Sequence, residues 1–158
     1  MLKRLLPVLL LAACATSENV SERQTGPLRD TEAPDPSPLA GYAIPAGQCG
    51  MILWTRTGAD IVPIFRSLDV IDATMTIDGE TLPLRLLFQE GELRLGMRSQ
   101  QVFQTLPDVD PEVTVEARLR WGQSFPSGSY IQGGTLALSG EDGWTRIVPV
   151  AGIAGCKA

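Results

Sequence analysis

Val113-Thr-Val-Glu-Ala-Arg-Leu-Arg-Trp121 alternates without a fault: Val113, Val115, Ala117, Leu119 and Trp121 fall on one side, and Thr114, Glu116, Arg118 and Arg120 on the other. Successive side chains of a strand point to opposite faces, so this pattern marks an antiparallel strand with one buried and one wet face. A second stretch supplies its turn as well. In Ala73-Thr-Met-Thr-Ile-Asp78-Gly79-Glu-Thr-Leu-Pro-Leu-Arg-Leu86, the Asp-Gly pair tolerates the positive φ angles of a two-residue hairpin. A turn there places Met75 opposite Leu82 and Ala73 opposite Leu84, giving the pair one shared apolar face.

Further strand candidates are Met51 to Arg56, Ile61 to Arg66, Leu93 to Arg98, Gln101 to Thr105, Thr135 to Ser139 and Trp144 to Val150, the last two joined through Gly140-Glu-Asp-Gly143. Turn signals recur at Thr57-Gly58, Glu90-Gly91 and Pro107-Asp108, and no stretch repeats apolar residues with helical spacing. About eight short strands in a hundred residues predict an all-β fold, a single antiparallel β-sandwich or small barrel. Pro63, Pro83 and Pro149 sit inside strand candidates and are expected at edges or bulges, because proline has no N–H for a ladder.

The N-terminus has a different character. Lys3 and Arg4 precede the apolar run Leu5 to Leu11, which is too short to span a bilayer, and Ala12-Ala13 stand before Cys14. This is a secretory signal over residues 1–13. Leu11-Ala12-Ala13-Cys14 resembles the lipobox of bacterial lipoproteins, and the resemblance implies a diacylglyceryl thioether on Cys14, cleavage before it and acylation of the new amine. Each buried methylene contributes about 0.8 kcal/mol, so such chains would hold the protein to a membrane almost permanently. Ala15, where the family uses aspartate for inner-membrane retention, implies the periplasmic face of the outer membrane. From Ala15 to about Gln48, Ser, Thr, Asp, Glu and five prolines (Pro27, Pro34, Pro36, Pro38, Pro45) predict a disordered tether. The expected division is therefore signal 1–13, lipidated cysteine and tether 14–48, and β domain 49–158.

The chain of 158 residues carries a net charge of −5, which argues against nucleic acid and against attraction to anionic headgroups. Of its three cysteines, lipidation of Cys14 leaves Cys49 and Cys156, one at each end of the expected domain. In an oxidising compartment such a pair reads as a disulfide. Histidine is absent, and with it the usual general base near neutral pH and the commonest metal ligand. Glu90-Gly91-Glu92 reads as turn chemistry, and Asp108-Val-Asp110-Pro-Glu112 as a charged loop without the ligand count of a calcium site. The reading is a binding protein with neither cofactor nor metal, not an enzyme.

Gly122 to Gly134 is longer than a hairpin needs and carries Phe125, Ser127, Tyr130 and Ile131, a candidate binding loop with aromatic anchors. Either these groups reach for a partner or they fold back over an open end. Trp54, Trp121 and Trp144 are expected in the core. Arg118 and Arg120, outward on one strand, suit either solvent or an anionic ligand such as a peptidoglycan carboxylate.

Two more resemblances follow. Cys49-Gly-Met-Ile-Leu-Trp54 resembles the opening of an uncharacterised exported bacterial β domain, which implies no activity. Ser127-Gly128-Ser129-Tyr130 is similar to the Ser-Gly-x-x-Tyr loop of periplasmic lipoproteins that inhibit C-type lysozymes, with one residue fewer before the tyrosine and no arginine preceding it. Those proteins share a lipobox, a small antiparallel barrel and a disulfide joining domain start to end. The resemblance implies that Ser127 and Tyr130 enter a hydrolase cleft. The expected function is thus a lipid-anchored binding or structural module of the cell envelope, with an envelope protein or peptidoglycan as partner, and the alternative is an inhibitor of a cell-wall hydrolase.

Overall fold

A computed structural model describes residues 33–68 and 72–158. The signal segment, Cys14 and most of the expected tether lie outside the described residues. Eight antiparallel strands follow one another around a closed barrel: β1 (Cys49–Thr57), β2 (Asp60–Leu68), β3 (Asp72–Ile77), β4 (Glu80–Arg94), β5 (Met97–Thr105), β6 (Val113–Phe125), β7 (Gly128–Gly140) and β8 (Thr145–Cys156), with β8 pairing back onto β1. Of the two expected all-β forms, the barrel is the one adopted. Closure gives every strand two neighbours, which removes the unpaired edges that a sandwich would leave.

Alternation decides what fills it. Val113, Val115, Ala117, Leu119 and Trp121 of β6 are buried, while Arg118 and Arg120 are exposed. In the β3–β4 hairpin, Met75 pairs with Leu82 and Ala73 with Leu84, and Asp78 and Gly79 both take positive φ. The interior packs Phe65 edge-on against Phe103, centroids 5.2 Å apart, among Met51, Leu53, Met75, Leu82, Leu136 and Leu138.

The three strand prolines sit where one neighbour has dropped away. Pro63 marks a bulge at which β1 shifts register between Leu53 and Trp54. Pro83 precedes the first β4–β5 pair, Leu84 with Thr105, and Pro149 lies beyond the last β1–β8 pair, Trp54 with Ala151. No ladder bond is lost there.

Two strand readings need correction. Leu93 to Arg98 is a hairpin rather than one strand: Leu95 and Gly96 take positive φ and turn β4 into β5. The Glu90-Gly91 turn signal is a bulge within β4. Glycine suits either, so the dipeptide alone does not distinguish them.

The tether expectation also fails in part, because residues 33–48 lie against the barrel. Phe65–Met75 is the lowest of the four paired positions of β2 and β3, and below it the two strands share no ladder. The strap fills the gap. Ser37 donates its N–H to the Thr76 carbonyl at 2.8 Å, Leu39 donates to the Pro63 carbonyl at 2.7 Å, and Asp35 donates to Asp78 Oδ1 at 2.9 Å. Leu39 and Ala33 are buried. Pro34, Pro36 and Pro38 alternate with these donors, so each missing N–H falls between bonds that are made. The ordered domain therefore begins by Ala33 instead of Cys49.

Candidate functional site

The antiparallel meander gives the barrel two ends. The lower end carries the β1–β2, β3–β4, β5–β6 and β7–β8 connections, and the upper end carries the β4–β5 and β6–β7 turns with Cys49 and Cys156. An arginine closes each mouth. At the lower one Arg146, turned inward opposite Leu138, pairs with Asp35 and donates to the Ala33 carbonyl. At the upper one Arg94, opposite Met97, donates to the Gly122 carbonyl at 2.9 Å and to Ser129 Oγ at 3.1 Å. Its Nε meets Glu92 at 2.8 Å and its guanidinium lies 5.9 Å from the Trp121 ring centroid. With both mouths held and the interior packed, recognition falls to the outer surface.

Gly122 to Gly134 is not a long loop. β6 and β7 stay paired to Ser124–Ser129 and Phe125–Gly128, leaving Pro126-Ser127 as the turn of a hairpin that reaches past the core. Alternation then separates the four candidate residues. Tyr130 points outward at 53% exposure and packs against Phe125 with the rings tilted by 57° and centroids 5.2 Å apart, and Ser127 is exposed at the turn. Ile131, at 2% exposure, belongs to the core.

Phe125 and Ser127 also line an outer groove of about 280 Å³ with Ala43 and Ile44 of the strap, Ile52 of β1 and Ile153 of β8. Ile52, Ile153 and Tyr130 lie side by side on three successive strands. The groove and the paired rings form an apolar surface at the upper end, next to the Cys49–Cys156 disulfide. Phe125 and Tyr130 therefore do not plug the mouth; Arg94 and Trp121 do.

Sequence reasoning missed Ile44, Ile52 and Ile153. A signal existed, since Met51-Ile-Leu-Trp54 is apolar at every position, as strands covered on both faces are. Of the tryptophans, Trp121 is in the core and Trp144 packs against it, whereas Trp54, beside the inward Leu53 across a bulge, is outside the core cluster.

No family model, curated protein or solved structure matches this chain. The chemistry of the site is what remains to read. Glu90 and Glu92 flank the β4 bulge, with Glu92 committed to Arg94. Glu112 hydrogen-bonds the Glu141 carboxyl and repels its charge, with Asp110 and Asp142 adding to the repulsion, so the Glu141 pKa is raised. Among the described residues no cluster of acidic or cysteine side chains has the arrangement of a metal cage.

Proposed function

We propose that the protein is a lipid-anchored module of the bacterial envelope that works by binding a partner protein at the upper end of its barrel. The observation that carries this is the placement of the apolar groove and the exposed Tyr130 at the end opposite Ala33, where the described chain enters. An anchor at Cys14 joined through Ala33 leaves the upper end facing away from the membrane. The eighteen or so residues between would reach at most about 60 Å in extended polyproline geometry. Aromatic groups on a rigid hairpin suit a partner because they offer large contact area at small entropic cost.

A photo-crosslinking residue at Tyr130 is expected to yield a discrete adduct in intact cells, and the same residue at exposed Ile61 is expected to yield none. Equal labelling from both positions, or release of the native protein without detergent, overturns the reading.

The protruding tip favours one more specific occupant. Ser127 and Tyr130 are both exposed at the β6–β7 turn, so the hydrolase-inhibitor alternative has a tip to insert into a cleft. Purified protein that leaves C-type lysozyme activity unchanged ends that alternative while leaving the broader proposal standing.

A further inference from the structure

On the outer face of β5, β6 and β7, away from the apolar groove, lies a second concavity of about 410 Å³. Gln100, Arg118, Arg120, Gly133, Gly134 and Thr135 line it. In a chain of net charge −5 this is a locally basic surface. Arg118 is paired with Glu116 at 2.7 Å, and Glu90 stands opposite Gln100 at the β4 side. Arg98, on the same outward phase of β5, donates to the Gly91 carbonyl. Arg120 is exposed and makes no ion pair or hydrogen bond with the described residues.

The floor explains the arginine's position. Gly133 and Gly134 both have ordinary negative φ, so backbone conformation does not require glycine at either. At Gly134 an added Cβ would strike the Arg118 carbonyl, which is a packing reason. At Gly133 the nearest atom to an added Cβ would be Arg120 Nη2 at 3.2 Å, with nothing else nearer than 3.8 Å. Glycine at 133 thus leaves room for the Arg120 guanidinium to lie across the sheet beside an open groove.

We propose that this groove binds an extended acidic peptide, with Arg120 as its main contact and Arg118 as its second. Residues two apart on a strand are roughly 7 Å apart and share a face, so the two guanidinium groups match carboxylates at alternate positions of an extended chain. Gln100 and Thr135 add hydrogen-bonding groups for the peptide backbone. This site does not depend on the hairpin surface described above.

The test titrates the full-length protein with short peptides bearing glutamate at alternate positions, and with glutamine counterparts as controls. The glutamate peptide is expected to bind with strong salt dependence, and Arg118→Gln with Arg120→Gln to weaken it by about tenfold or more, as loss of two charge-assisted contacts implies. Gly133→Val is expected to weaken it as well by filling the floor, and Ile61→Ala, at an exposed position outside both surfaces, to leave it unchanged. Binding that is indifferent to the arginine substitutions, equal affinity for the glutamine peptides, or binding only of muropeptides or inorganic phosphate overturns the proposal. Circular dichroism of each variant separates lost binding from lost fold.

Discussion

Arg94 shows how one side chain can close an end of a barrel. Its guanidinium spans Gly122, Ser129 and Glu92 and lies over Trp121, replacing an open mouth with hydrogen bonds that charge strengthens. Arg94→Met should lower stability by about 1–3 kcal/mol in urea unfolding, whereas Arg85→Met, at an exposed position, should change it by less than about 0.5 kcal/mol. Glu141 illustrates the opposite sign. The Glu112 hydrogen bond and charge raise its pKa in the folded state, so the folded protein takes up a proton at a pH where the unfolded chain has not. Its contribution therefore grows as the pH falls through the raised pKa and is missing at neutrality, where the ionised carboxylates repel. Glu141→Gln is expected to melt above the wild type near neutral pH, and the gap to close near about pH 4, where the glutamate is itself protonated. A gap that persists in acid excludes this cause. Neither residue was readable as special beforehand, because each depends on neighbours brought in from elsewhere in the chain.

At the scale of elements, the strap over residues 33–48 and the β6–β7 hairpin both departed from their sequence reading. Proline content predicts a solvated tether, yet prolines at every second position leave the intervening amides free to bond to one side, and the gap between β2 and β3 offers acceptors at that spacing. Leu39→Ala should then cost about 2–4 kcal/mol by urea unfolding, and the Ser37 and Leu39 amides should exchange more slowly than those of Gly41 and Tyr42. A solvated tether would show neither effect. The hairpin was hidden by its glycines and serines, which read as loop although the ladder continues through them. By contrast the β3–β4 pair was legible to the register, because its turn and both apolar faces lie within fourteen consecutive residues.

At the scale of the whole molecule, Cys49 and Cys156 face each other across the β1–β8 seam and are bridged over a sequence separation of 107. On the chain-entropy account that link stabilises the fold by about 5 kcal/mol, chiefly by restricting the unfolded chain. Replacing both cysteines with serine should lower stability by up to that amount. The far-ultraviolet dichroism should stay native, because the β1–β8 ladder and the paired backbone bonds between Gln48 or Gly47 and Lys157 remain. From sequence alone came the all-β class, the inward face of β6, the register of one hairpin and the pairing of two cysteines. These rest on period-two patterning and on turn chemistry, which are local. Only the tertiary structure decided that the sheet closes on itself, that a proline-rich strap fills the gap between β2 and β3, that Ile131 faces in while Tyr130 faces out, and that Arg120 lies over a bare glycine. Each of those depends on which strands become neighbours, and adjacency between distant segments is set by how the whole chain packs.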